Sequence, residues 1–177
     1  KYFANNPKQT FEQTFFWTDE DNRKISKLED FAEVFLEKCA LSEMIGKHIV
    51  LAESERIPMV LRPYQYYGSK RIVERVKESD KNGYIWHTTG SGKTLTSFKA
   101  SQVIADMPEV EKVLFVVDRK DLDTQTTKEF NSFSDGSVDS TTNTKTLVDQ
   151  LADDKRDLVV TTVQKLDIAI KSERYKS

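Results

Sequence analysis

Residues 89–94 read Thr-Gly-Ser-Gly-Lys-Thr, which sets two glycines, a lysine and three hydroxyl residues in consecutive positions. Glycine lets successive backbone N–H groups turn inward around an anion. A lysine at the end of such a turn reaches the β- and γ-phosphates of a nucleotide, and the next hydroxyl suits Mg²⁺. The spacing therefore predicts a phosphate-binding loop of Thr89, Gly90, Ser91, Gly92, Lys93 and Thr94. Lys93 and Thr94 are its catalytic members, and Thr94 is the Mg²⁺ ligand. The general pattern places a further glycine five residues before the last one. His87 occupies that position here and is assigned to shaping the loop mouth.

Gln65 lies 28 residues before Lys93, in the stretch Arg62-Pro63-Tyr64-Gln65. A carboxamide can donate to and accept from an adenine edge at once. In this context Gln65 is a candidate for selecting ATP over GTP; alone at a helix start, a glutamine is ordinarily just solvated.

The loop needs a strand before it and a helix after it. The short apolar run Gly83-Tyr84-Ile85-Trp86 predicts the strand, and residues 93–107 predict the helix. Pro63 at a first turn opens a preceding helix from the Arg62-Pro63 stretch. Residues 112–118 hold five consecutive apolar residues and read as the clearest buried strand. Helical residues 119–133, a polar loop to about residue 145, a short helix over 146–152, a strand over 157–162 and a helix from Val163 follow. From residue 62 onward, strands alternate with helices, the pattern of an α/β fold with a parallel sheet and right-handed crossovers.

The front of the chain reads differently. Phe15, Phe16 and Trp17 form an aromatic knot that anchors the segment by packing. Ser26 and Glu29 are placed as a capping box for a helix over 26–39. Leu28, Phe31, Ala32, Phe35, Leu36 and Cys39 share one face of it, which makes Cys39 a core residue. A second short helix is predicted over 41–50. His48 has no Cys, His or acidic partner at ligand spacing and reads as non-ligating.

The 177 residues suffice for one domain and an appendage. With 27 basic and 29 acidic residues the net charge is −2, so the chain as a whole carries no electrostatic footprint for nucleic acid or membrane. Any nucleic-acid contact must be local. A single cysteine rules out an internal disulfide and suits a reducing compartment. No apolar run approaches the ~20 residues of a membrane span. The first residues lack both Met and a signal-peptide core, and the reading is of a piece of something longer.

Four stretches together, residues 62–76, 83–101, 113–126 and 159–166, resemble the motor (R) subunit of type I restriction endonucleases, a branch of the superfamily 2 helicases. The resemblance covers residues 11–177, and in that family a histidine stands where His87 does. It implies residues 58–177 to be the N-terminal part of a RecA-like P-loop NTPase motor lobe, incomplete here. Residues 1–57 would be a helical linker from a nuclease domain. It assigns Gln65 to adenine and residues 90–94 to the first helicase motif. Asp118, Arg119 and Lys120 resemble the next motif, and Thr161, Thr162 and Gln164 a further one. By this resemblance Arg119, Lys120, Thr161 and Thr162 contact DNA. From the residues alone, Arg119 and Lys120 could equally be surface charges, and the two threonines could cap the next helix. The implied activity is ATP-dependent translocation of double-stranded DNA before cleavage, in a cytoplasmic complex with methyltransferase (modification) and specificity subunits.

The nuclease signature Glu-x-Lys is absent from the chain, and no Asp-Glu pair of the second helicase motif follows residue 166. That pair holds Mg²⁺ and positions the attacking water. The expectation is weak nucleotide binding and negligible turnover by this chain alone. Another superfamily 2 motor and a non-catalytic docking fragment are the competing readings.

Overall fold

The computed structural model describes residues 3–4, 14–52, 56–118, 144–153 and 157–172. The chain forms two compact units, Lys1–Ala100 and Ser101–Ser177. Position 57/58 falls inside the first of these, where Trp17 packs against Tyr66 across it.

In the first unit, β1 (Phe3–Ala4) pairs antiparallel with β2 (Thr14–Phe15). The helix expected over 26–39 is two helices, α1 (Leu28–Phe35) and α2 (Lys38–Glu43). The expected capping box does not form: the N-cap of α1 is Lys27, with no side-chain cap bond. The break comes at Glu37, whose carboxylate accepts from the Cys39 and Ala40 amides at 2.8 and 2.9 Å and so caps a new helix. This rotates Cys39 out to solvent, against the expectation that it is core. Phe31 and Phe35 keep the apolar face, stacked at 5.2 Å, and Phe35 meets Trp17 edge-on at 4.6 Å. Trp17 is 1% exposed, so the aromatic knot is an anchor as read.

The second short helical stretch is helical as far as His48 and ends two residues early. Its start completes α2, and a single π-helical turn (Met44–His48) follows. Ile49 and Val50 then open β3 (Ile49–Ala52), which pairs antiparallel with β4 (Ile57–Val60). The β-branched pair at 49–50 favours extended backbone over continued helix.

α3 (Pro63–Glu78) starts at its proline as expected. Residues 83–86, expected to be a strand, pair with no strand among the described residues, and Tyr84 and Trp86 are 89% and 90% exposed. A four-residue apolar run headed by glycine has little hold of its own without a ladder on either side. α4 (Lys93–Ala105) begins at the lysine of the glycine loop.

In the second unit, β5 (Val113–Val117) and β6 (Leu158–Thr162) run parallel, with Val113 opposite Leu158 and Val117 opposite Thr162. Between them lies α5 (Thr144–Leu151), and after them α6 (Val163–Lys171). Leu147, Val159 and Ala169 form the core, with Val148 and Leu151 packed on it. The small parallel sheet confirms the α/β class. β5 is less buried than its composition suggests, because Leu114 and Val116 point to an exposed face. The helix expected over 119–133, with Arg119 and Lys120, and the expected loop as far as residue 143 lie outside the described residues; residues 144 and 145 open α5 instead. Among the described residues, no helix is long and apolar enough to cross a membrane.

Candidate nucleotide-binding site

The glycine loop is a tight turn that feeds directly into α4. Gly90 and Gly92 take φ values of 75° and 76°, the left-handed region that side chains resist. Alternation of such residues with ordinary ones turns backbone amides toward a common concavity. At Gly92 a second constraint acts, since an added Cβ would run into Gln65 Nε2. A glycine is thus required there by backbone angle, and any side chain would in addition have to push the Gln65 amide aside.

The loop is held by its own polar groups. The Ser91 hydroxyl donates to the Thr88 carbonyl at 2.7 Å and lies 2.8 Å from His87 Nδ1. With the serine proton committed to Thr88, Nδ1 carries a proton and donates to Oγ. Burial, and then the Lys93 charge, hold the His87 imidazole below its ordinary pKa. His87 therefore braces the loop from its mouth, the place assigned to it. Lys93 is exposed, and its ammonium donates to the Thr88 carbonyl at 3.3 Å. This is a long bond, readily exchanged for a charge-assisted one to phosphate. Thr94 is half-buried in the first turn of α4.

α3 backs the loop through adjacent side chains. Gln65, 5% exposed, accepts from the Arg62 amide at 2.9 Å through Oε1. Its Nε2 donates to the Ser91 and Gly92 carbonyls, each at 3.4 Å. Both ends of the carboxamide are thus engaged within the protein. An adenine edge would have to take over these partners. The Tyr64 hydroxyl donates to the Ser91 carbonyl at 2.9 Å, and its ring meets that of His87 at 6.3 Å. Sequence reasoning missed Tyr64, whose one available signal was adjacency to Gln65.

These features fit a nucleotide triphosphate. The glycine cradle, the lysine and the start of a 13-residue helix converge on one place. Mg²⁺ characteristically binds through few protein oxygens plus nucleotide phosphates, and Thr94, next to Lys93 in the first turn of α4, carries an oxygen of that kind.

The remaining site residues lie in the second unit. Thr161 and Thr162 are fully buried at the end of β6. Thr162 caps α6, its hydroxyl accepting from the Lys165 amide at 3.3 Å, so the helix-cap alternative is realised for it. Gln164 Nε2 donates to the Asp118 carbonyl at 2.9 Å and ties the ends of the two parallel strands together.

Residues 64–177 match the family model of SWI2/SNF2 ATPases. A type I restriction enzyme endonuclease subunit of Staphylococcus aureus strain COL is 47% identical over 183 residues, covering 100% of this chain and 20% of that protein. One from Staphylococcus saprophyticus is 49% identical, with the same coverage. The C-terminal part of one from Mycoplasma pneumoniae is 47% identical over 162 residues, 85% of this chain and 78% of that protein. The chain belongs to the SWI2/SNF2 ATPases and to the endonuclease subunits of type I restriction enzymes. It spans 20% of the length of the Staphylococcus relatives.

Proposed function

We propose that the chain is the ATP-binding front of a RecA-like motor lobe. In the complete subunit it couples ATP hydrolysis to translocation of duplex DNA before cleavage, alongside methyltransferase and specificity subunits. The observation that carries this reading is the glycine cradle opening α4, with Lys93 and Thr94 in its first turn.

In this reading Thr89, Gly90, Ser91, Gly92, Lys93 and Thr94 hold the phosphates, and Gln65 lies behind them toward the base. Lys93 leaves the Thr88 carbonyl for the β- and γ-phosphates. The Thr94 hydroxyl would hold Mg²⁺, which when bound would supply charge neutralisation to the triphosphate. Arg119, Lys120, Thr161 and Thr162 are proposed to contact the DNA backbone, a sequence-independent and salt-sensitive grip. Thr161 and Thr162 need a rearrangement at the end of β6 to reach it. Residues 1–57 are proposed to connect this lobe to the nuclease domain, and the seat of Trp17 against Tyr66 and Tyr67 of α3 supports that role.

The test is Lys93→Ala in the subunit assembled with its partners. ATP-driven translocation is expected to vanish while assembly persists; unchanged translocation would remove the loop from the mechanism. The 177-residue chain alone is expected to bind ATP weakly and turn it over negligibly. A DNA-stimulated rate equal to that of the assembled enzyme would contradict this.

A further inference from the structure

A phosphate-binding turn works only if its N–H groups are aimed at the anion before the anion arrives. The aim of an N–H is set by the carbonyl bonded to it. In a planar trans peptide the C=O and the following N–H point in opposite directions. Fixing the Ser91 carbonyl therefore fixes the Gly92 N–H. Gly92 sits at φ 76°, where glycine has wide rotational freedom and little of its own to hold it.

Two side chains of α3 reach the Ser91 carbonyl, Tyr64 at 2.9 Å and Gln65 at 3.4 Å. The tyrosine bond is the shorter, and Gln65 divides its Nε2 between two carbonyls. Gln65 also spends Oε1 on the helix cap. Tyr64 has no such second duty for its hydroxyl among the hydrogen bonds described. Its ring stands against His87, which braces the Ser91 hydroxyl at 2.8 Å. Residue 91 is thus gripped at its carbonyl by Tyr64 and at its side chain by His87, and the two grips touch. The Gly92 carbonyl, by contrast, is already fixed as the first acceptor of α4, taking the Thr96 amide at 3.1 Å.

We infer that Tyr64 is a positioning residue of the phosphate loop: its hydroxyl pins the Ser91 peptide so that the Gly92 N–H faces the incoming phosphate. This rests on the ATP reading for the identity of the anion, but the pinning itself does not. Tyr64 touches the loop and acts through Gly92.

The experiment uses Tyr64→Phe, which keeps the ring against His87 and removes only the hydroxyl. Binding of ATP, ADP and inorganic tripolyphosphate is measured by calorimetry, and amide hydrogen exchange at Gly92 is followed without ligand. The variant is expected to melt at the wild-type temperature, to exchange Gly92 several-fold faster, and to bind ATP and tripolyphosphate about 5–10-fold more weakly by the same factor. Equal affinity and unchanged exchange overturn the inference. A loss for ATP without a loss for tripolyphosphate overturns it too, because the hydroxyl would then serve base or ribose. If the wild-type chain binds neither ligand, the ATP reading fails, and the exchange rate at Gly92 still decides whether Tyr64 orders the loop.

Discussion

Thr161 carries a buried hydroxyl with no hydrogen-bond partner among the described residues. Its neighbour Thr162 uses its own hydroxyl to cap α6. Burying an unpaired hydroxyl costs about 1–3 kcal/mol, whereas an apolar group of the same shape at that site costs nothing comparable. Thr161→Val is therefore expected to stabilise the chain by about 1 kcal/mol, read as a raised melting temperature. A lowered one would mean that the hydroxyl is hydrogen-bonded in solution. If Thr161 also touches DNA in the assembled enzyme, the same variant binds DNA less well despite its higher stability, so the two roles separate in one protein. At this scale the tight turn that opens α4 was legible, because glycine at 90 and 92 answers the demand for positive φ. What Gln65 does without ligand was not legible. Nothing in its spacing shows that both ends of its carboxamide are engaged by backbone. Tyr64 was hidden for the same reason: a tertiary bond from a side chain to a distant carbonyl leaves no periodic trace.

Elements were legible where their signals are local. Pro63 at a first turn and the apolar run at 113–117 each mark their own boundary. The break at Glu37 was not legible, since the apolar spacing over 26–39 continues through it and a glutamate cap competes only once Phe35 is anchored on Trp17. The strand at 83–86 failed for the opposite reason: a strand is defined by its neighbours, and the residues alone state none. One element end depends on a single distant cation. Lys112, just ahead of β5, donates to the carbonyls of Gln150, Leu151 and Asp153 at 3.2, 2.8 and 3.0 Å. The Gln150 and Leu151 carbonyls end α5 and that of Asp153 lies two residues past it, where carbonyls run short of helical partners and the dipole favours a positive charge. Lys112→Met keeps the aliphatic stem and removes the ammonium. It is expected to destabilise residues 101–177 by about 1–2 kcal/mol in chemical denaturation followed by far-ultraviolet circular dichroism. An unchanged midpoint would show that solvent serves those carbonyls equally well.

At the scale of the whole molecule, each compact unit has its own core, and the first contains a titrating group. His48 is 2% exposed and lies edge-on to Tyr66 at 4.8 Å, with Nδ1 unpartnered among the described residues. Burial pushes its imidazole down to about 4; Glu43 opposes this, and Lys99, Lys70 and Lys47 add to it. The folded state thus favours neutral His48, while the unfolded chain takes up a proton near pH 6.5. Between these values the unfolded state binds more protons, so stability rises with pH across that window. The contribution is complete above about 6.5 and is lost progressively as pH falls toward 4. Moving from pH 7.5 to 5 is expected to destabilise residues 1–100 by about 1–2 kcal/mol. The chain carries its own probe for this. Trp17 is 1% exposed and Trp86 is 90% exposed, so a red shift of tryptophan emission on unfolding reports the first unit through Trp17. Urea melts read this way should move to lower midpoints at pH 5 in the wild type. In His48→Leu, which cannot titrate, the midpoint should change little between the two pH values. If both proteins lose the same stability on acidification, the pH dependence belongs to carboxylates elsewhere and His48 does not sense it.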